Sequence, residues 1–531
     1  MRIEVKLGPE KDAAFFFSKE KALRTILSGF SSYVDKGYVK VPMTHAYDAC
    51  VYLKTLGNEV FGLPTTIANL KYSTLANALD VAVPNGADRS KLFPFQSEGV
   101  KFLESRRKAL LAYEMGLGKT VVTLTALNSK LGALVVCPKV MVGTWYNEAR
   151  KWRPDLVTRI HQRPYSIFPS PGELTIVSYS QLNIDDITLI EQRYGRPIPK
   201  WTGVDSGTHP TKPFTVVFDE AHYLKTPKAQ RTLVVRAIAK KAWIVWLLTG
   251  TPLLNEPPEL WTILEVAQAE RDVFWSWKHF QDMFGAVRKT IWAQGQERSF
   301  IDHWDDTPSE EALKRLGCFM LRRTRKEVLP ELPTKTYRDI SIEISSKDMR
   351  ELPLSQAMLD GMSDDAVLTA CNEPGIISEG RAKLVMMKTK TLDALLDEYE
   401  AQGVPAVVFS YHRGPIAHVE KREGWKVITG DTTTGDRTAI IAQFQAGALK
   451  GVAGTIGAMG IGVTLVRAFN VIFVDQSYVP ADNLQAEDRL CRIGQKNAVL
   501  VTRLVAKHPI DERVSQVLDK KMTLLENMGL A

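Results

Sequence analysis

Short, unbroken apolar runs alternate along this chain with longer stretches in which apolar residues return every three or four positions. From about residue 90 the runs are ALLAY (109–113), GALVVC (132–137), LTIVSY (174–179), FTVVFD (214–219) and AWIVWLL (242–248). A second series follows: PAVVFSY (405–411), WKVITG (425–430), GVAGTI (451–456), NVIFVD (470–475) and VLVTRLV (499–505). Val- and Ile-rich runs without alternation suit strands buried on both faces, hence parallel sheets covered by helices. Two such series predict two α/β lobes, over residues 86–270 and 381–531.

The segment between them, 271–380, has another period. FWSWKHFQDMFGA (274–286) and SEEALKRLGCFMLRRTRKEVL (309–329) carry helical spacing, and the two prolines of LPELPTK (329–335) break the chain afterwards. The expectation is a helical insert and a linker. Residues 1–85 form a separate small unit, where GYVKVPMTHAYDACVYLKTLG (37–57) predicts a strand and then a helix capped by Thr44. The stretch DERVSQVLDKKMTLLENMG (511–529) reads as one amphipathic helix.

Composition narrows the class. With 45% hydrophobic and 24% charged residues in 531 positions, the chain reads as a folded protein of several domains. A net charge of +8 from 68 basic and 60 acidic residues favours a polyanionic partner without making a polycation. The five cysteines (Cys50, Cys137, Cys318, Cys371, Cys491) include no C-x-x-C pair, which excludes an ordinary zinc ribbon and suits reduced thiols. No apolar run approaches the roughly 18 residues of a membrane span, and the first residues lack a signal-peptide layout. The expected protein is intracellular and soluble, cytoplasmic rather than nuclear.

Two elements carry the chemistry. LLAYEMGLGKT (110–120) runs from a strand into a helical stretch, the setting of a phosphate cradle. Gly116 and Gly118 let backbone N–H groups approach phosphate oxygens at the helix start, Lys119 would reach the β- and γ-phosphates, and Thr120 would hold Mg²⁺. A glycine five positions before Gly118, usual in such loops, is absent; Tyr113 stands there. The second element is VVFDEAH (216–222), which ends a buried strand in Asp219 and Glu220, where open α/β sheets place ligands. Asp219 would bind Mg²⁺ and Glu220 would polarise the attacking water.

These motifs and those that follow resemble the SWI/SNF-related ATPases of helicase superfamily two, over residues 90–510 and in that family's order. LFPFQSEGVKFL (92–103) resembles the adenine-reading element; VVCPKVMVGTWYNEARKW (135–152) and IVSYSQL (176–182) resemble DNA-contacting stretches. DEAHYLKTPKAQ (219–230) and LLTGTPLLNEPPELW (247–261) match the acidic and coupling motifs, and MLRRTRKEVLPELPTK (320–335) the exit from the insert. VVFSYHR (407–413), ITGDTTTGDR (428–437), TIGAMGIGVTL (455–465) and QAEDRLCRIGQ (485–495) resemble the second-lobe motifs. LFPFQSEGV, LRRTRKEVLPELP and QAEDRLCRIGQ lie nearest the annealing-helicase branch.

The resemblance implies two RecA-like lobes and a DNA-stimulated ATPase that translocates on double-stranded or branched DNA, a monomer on its track. It assigns catalysis to Lys119, Asp219, Glu220, Arg489 and Arg492. Nucleotide contact falls to Gln96, Met115, Gly116, Leu117, Gly118, Lys119, Thr120, His222, Gly462 and Gln485, and Mg²⁺ to Thr120 and Asp219. DNA contact falls to Lys139, Trp145, Ser178, Tyr179, Thr249, Tyr411, Thr429, Thr455 and Tyr478. Tyr113 replaces an acidic residue of the family pattern and is expected to pack against the first lobe. SYVP (477–480) departs from the family's W-N-P, and Met459 and Thr464 from its glycine and asparagine. The basic RRTRK (322–326) fits either a DNA contact or a solvated helix face. Residues 1–85 fit either a recognition element for branched DNA, through Arg2, Lys6, Lys36, Tyr38 and Lys40, or a packing or protein-docking domain. A strand-separating helicase and a non-hydrolysing DNA clamp are the rival readings.

Overall fold

The computed structural model describes residues 2–7, 13–17, 27, 33–34, 38–42, 46, 49–50, 53, 59–61 and 87–527, less 163–165, 183–186, 194–195, 202–212, 251–256, 294–295, 305–307, 330–332, 346–351, 353–361, 363–365, 368–369, 372–374, 460–462 and 493. Thr44, Lys36 and Gly462 fall outside these residues.

Strands β1 (Arg2–Leu7), β2 (Ala13–Phe17), β3 (Tyr33–Val34), β4 (Tyr38–Pro42) and β5 (Glu59–Phe61) form a five-stranded N-terminal sheet in the order β3-β4-β2-β1-β5. Period-2 alternation sorts its faces. Ile3, Val5, Ala14, Phe16, Val39 and Val41 are buried, while Lys6 sits 5.4 Å from the Phe17 ring and Tyr38 packs on Phe15 and Phe17.

The first lobe opens with α1 (Pro94–Glu104), β6 (Lys108–Tyr113), α2 (Lys119–Ala126), β7 (Gly132–Cys137) and α3 (Val142–Trp152). It continues through β8 (Val157–Ile160), β9 (Glu173–Ser178), the antiparallel hairpin β10 (Ile187–Arg193) and β11 (Arg196–Trp201), β12 (Phe214–Phe218), α4 (Gln230–Ala239), β13 (Ile244–Leu248) and α5 (Pro257–Ala267). Its parallel sheet runs β6-β13-β12-β7-β9-β8, with a seventh strand, Met320–Arg323, added beside β6 at the edge. Every residue of β7, β12 and β13 is buried, because helices cover both faces.

The intervening segment differs from a purely helical insert. After α6 (Glu270–Phe274) and α7 (Trp277–Met283) comes an antiparallel hairpin, β14 (Ala286–Ala293) with β15 (Gln296–Trp304), and then α8 (Glu310–Phe319). The chain next enters β16 (Met320–Arg323), which pairs with β6 at the edge of the first lobe. One short turn of helix, α9 (Arg325–Val328), separates it from β17 (Lys335–Ile342), which pairs with the second lobe. The linker is therefore fastened into both sheets.

The second lobe holds α10 (Ile376–Met387), α11 (Thr389–Ala401), β18 (Ala406–Ser410), α12 (Arg413–Val419), β19 (Trp425–Ile428), α13 (Thr434–Gln445), β20 (Gly451–Thr455), β21 (Asn470–Phe473), α14 (Pro480–Glu487), β22 (Val499–Ala506) and α15 (Pro509–Asn527). Its six strands are all parallel, in the order β17-β22-β21-β18-β20-β19. Among the described residues no helix is long and apolar enough to cross a membrane.

Candidate nucleotide site and interlobe cleft

The loop between β6 and α2 turns sharply through Gly116 (φ 85°) and Gly118 (φ 83°), a region L side chains rarely enter. A Cβ on Gly118 would also lie 2.5 Å from Gln96 Nε2. Gln96 is buried: its Oε1 accepts from the Phe93 N–H at 3.1 Å and its Nε2 donates to the Leu117 carbonyl at 3.1 Å. The residue expected at adenine thus braces the phosphate loop from behind.

Lys119 opens α2 and is buried, its ammonium donating to the Tyr113 carbonyl at 3.0 Å. Burial pushes its pKa down, while Glu220 and Asp219 oppose that push. The Tyr113 phenol points the other way. It is wholly buried, donates to the Phe95 carbonyl and lies under Gly99, where a Cβ would meet its oxygen at 2.6 Å.

Asp219 and Glu220 follow β12 directly. Asp219 is held on three sides: Oδ2 accepts from the Trp145 indole at 2.7 Å, Oδ1 from the Glu220 N–H at 3.0 Å, and its carbonyl from the Tyr179 hydroxyl at 2.8 Å. Glu220 adopts φ 51°, ψ 56°, a strained backbone for a non-glycine residue. His222 Nδ1 stands 3.3 Å from Glu220 Oε2 and 3.3 Å from Thr249 Oγ1. Burial and the adjacent Glu220 charge push the Asp219 carboxyl above the ordinary carboxylate range. Burial would raise Glu220 too, but His222 and Lys119 hold it below that range.

The second lobe completes this site. Beyond α14, Arg489 is buried and its Nη2 reaches Met115 Sδ, on the phosphate loop, at 3.7 Å. Burial, with Arg492 beside it, lowers its pKa to about 9. Arg492 donates from Nη1 to Thr464 Oγ1 at 3.0 Å and from Nε to the Asp488 carbonyl at 3.0 Å. A Cβ at Gly116 would come within 3.7 Å of its Cγ, so both arginines border the loop. Gln485, four residues before Arg489, is buried, and its Nε2 has no hydrogen-bond partner among the described residues. Thr120 stands beside Lys119 at the start of α2, half-buried.

A cavity of about 970 Å³ opens elsewhere along the seam between the lobes, lined by Lys139, Tyr179, Arg231, Tyr411, Arg413 and Thr455 among others. Four residues expected at DNA thus border it: Lys139, Tyr179, Tyr411 and Thr455. Thr429 adjoins Gly430, another lining residue. Four others do not line it. Trp145 is wholly buried on Asp219, and Thr249 is wholly buried beside His222. Ser178 is buried and bonded to Ser180 and Gln181. Tyr478 is buried, with its hydroxyl on the Cys371 carbonyl and the Arg381 guanidinium 4.3 Å from its ring. Tyr411, which lines the cavity, packs edge-on against its ring at 4.8 Å between centroids. Sequence reading missed Arg231, Arg413 and Arg437 as lining residues; the available signal was that Arg231 follows DEAHYLKTPKAQ while Arg413 and Arg437 end VVFSYHR and ITGDTTTGDR. RRTRK is not one solvated face: Arg323 pairs with Glu98, and Arg325 is buried against Glu114 and Asp488.

Residues 95–352 match the SNF2-related domain, and residues 387–494 the helicase conserved C-terminal domain. A Caenorhabditis elegans SWI/SNF-related matrix-associated actin-dependent regulator of chromatin subfamily A-like protein 1 homolog is 30% identical over 510 residues, 91% of this chain and 67% of that protein. Human DNA annealing helicase and endonuclease ZRANB3 is 27% identical over 461 residues, 82% of this chain but only 40% of that protein. A Sulfolobus solfataricus SWI2/SNF2 ATPase core in complex with dsDNA aligns at 20% identity and TM-score 0.37, covering 82% of this chain and 92% of that one.

Proposed function

Because the chain belongs to the SNF2-related ATPases of helicase type, we propose that it is an ATP-driven motor that moves along double-stranded or branched DNA and remodels it. One observation carries the reading: Lys119, Asp219 and Glu220 of one lobe and Arg489 of the other converge on a single glycine loop. ATP is the substrate. Backbone N–H groups from Gly116 to Thr120 and the Lys119 ammonium would cradle its phosphates at the positive end of α2.

Thr120 and Asp219 would hold Mg²⁺, which supplies positive charge against the β- and γ-phosphate oxygens. The donor set suits such an ion, because carboxylate and hydroxyl oxygens are the hard ligands Mg²⁺ takes and Asp219 and Glu220 are both buried beside the glycine loop. Glu220, held ionised, orients and polarises the attacking water. Arg489 and Arg492 meet the charge that develops on the transferred phosphoryl group, a contribution of about 10³–10⁵ in rate for an arginine so placed. Neither lobe holds the full set, so turnover requires the lobes together. Loss of the γ-phosphate releases one from the other, and each release lets a lobe take a new grip on the DNA backbone.

The basic cleft beside Tyr179 and Tyr411 supplies that grip in this reading. The relative named a DNA annealing helicase makes rewinding of separated strands, or remodelling of forks and branches, the first output to seek. The N-terminal sheet, with Lys6 and Lys40 over Phe17 and Phe15, is the candidate recognition element for the branched substrate. Displacement of a third strand from a DNA triplex, dependent on ATP and without separation of a long duplex, is the expected behaviour. Strand separation of that duplex would instead establish a conventional helicase.

A further inference from the structure

The linker contributes more than connection. Arg325, on the short helix α9 between β16 and β17, is buried between the lobes. On one side its N–H and Nε donate to the Glu114 carboxylate at 2.7 and 2.6 Å. On the other its guanidinium donates to the Asp488 carboxylate and the Cys491 carbonyl. Each acid adjoins the reaction machinery. Glu114 follows Tyr113, whose carbonyl takes the Lys119 ammonium; Asp488 precedes Arg489, and its carbonyl takes Arg492 Nε.

We infer that Arg325 is a positioning residue for hydrolysis, setting Arg489 and Arg492 against the phosphate loop through the Glu114–Arg325–Asp488 chain. The inference rests on the ATPase reading above and goes beyond it by assigning a role to the linker. The chain is reinforced from β17, where Lys335 Nζ reaches Glu487 at 2.9 Å and Asp488 at 2.8 Å, and the Tyr337 hydroxyl reaches Glu487 at 2.9 Å. Both ends of α14's C-terminal acid pair are thus tied to a linker that is itself stitched into each sheet. A planar five-donor guanidinium can serve two carboxylates and a carbonyl at once, which a lysine ammonium on a flexible stem does poorly. When the lobes swing, this chain must travel intact or break, so the linker senses their closure.

The test compares wild type with Arg325→Ala, Arg325→Lys and Glu114→Gln, using DNA-stimulated phosphate release and binding of ADP and of ADP–fluoroaluminate. A misplacement of about 1 Å costs about 10²-fold in kcat, so Arg325→Ala should lose about that factor while the KM for ATP and the affinity for ADP and duplex DNA hold. Affinity for ADP–fluoroaluminate, which mimics the transferring phosphoryl group, should fall with kcat, and Arg325→Lys should recover part of both. Unchanged kcat overturns the inference, as does a fall in which ADP affinity is lost to the same extent, since that is collapse of the site. If Arg325→Ala gives no cooperative melt, Glu114→Gln, which leaves the Asp488 end intact, is judged by the same criteria. A wild-type protein without DNA-stimulated turnover would defeat the ATPase reading itself, whereas active wild type with variants at parity defeats only the role of Arg325.

Discussion

Tyr113 separates side chain from backbone in one residue. Its ring fills the first lobe's core beside Phe95, at 6.0 Å between centroids, while its carbonyl alone faces the nucleotide site through Lys119. The departure from an acidic residue therefore changes packing and leaves the donor set around the phosphates untouched. Tyr113→Phe should keep ATP turnover and lose about 1 kcal/mol of stability with the phenol's hydrogen bond, read as a shift in urea midpoint. An activity loss at unchanged stability would contradict this placement. Tyr113→Asp is a poorer probe, because it would bury a carboxylate in the core of the first lobe and remove the phenol's bond to the Phe95 carbonyl. The residues gathered around the glycine loop were legible as a group because they sit in contiguous strings, Lys119-Thr120 and Asp219-Glu220, whose neighbours fix their setting. Trp145 and Thr249 were not, because the partner that buries each, Asp219 and His222, lies far away in sequence.

At the scale of elements, every apolar run singled out in the sequence is a strand of one of the two sheets, since burial on both faces leaves a compositional mark. The strands that escaped notice are those without it. β17, KTYRDISI, is largely exposed along its outer positions, and β16 is four residues of which two are arginine. Edge strands are specified by their neighbour's backbone more than by their own apolar content. The β14–β15 hairpin was equally hidden, its period-2 pattern submerged in a stretch rich in helix formers. The end of α14 offers a test of the ion-pair chain as structure. Burial would raise the Asp488 carboxyl, but Lys335 and Arg325 hold it below its ordinary value of 3.8. A depressed folded-state pKa gives stability that is full above the unfolded value and lost as pH falls through the folded one. Asp488→Asn should therefore cost about 3 kcal/mol at pH 7 to 8, with the deficit shrinking in acid below the ordinary carboxylate range. Denaturant melts across pH measure it, and a deficit independent of pH would show that charge is not the cause.

For the molecule as a whole, two parallel-sheet lobes meet along one seam that carries both the nucleotide loop and the cationic cavity. In the proposed motor, a motion that closed Arg489 on the loop would also change the shape of the surface that would hold DNA. Gripping by cations releases counterions, so binding should weaken steeply with salt. Arg231→Ala and Lys139→Ala should each lower duplex affinity and reduce the slope of log affinity against log salt by about 1, while leaving DNA-independent turnover unchanged. A slope equal to wild type would remove these residues from the interface. The central claim is coupling of ATP hydrolysis to DNA, and it is met most directly by phosphate release measured with single-stranded, duplex, forked and four-way DNA and with RNA. Stimulation is expected from the duplex-containing DNAs, greatest for branched ones, and its abolition in Lys119→Ala and Glu220→Gln. Equal stimulation by RNA, or none by any DNA, would contradict the account.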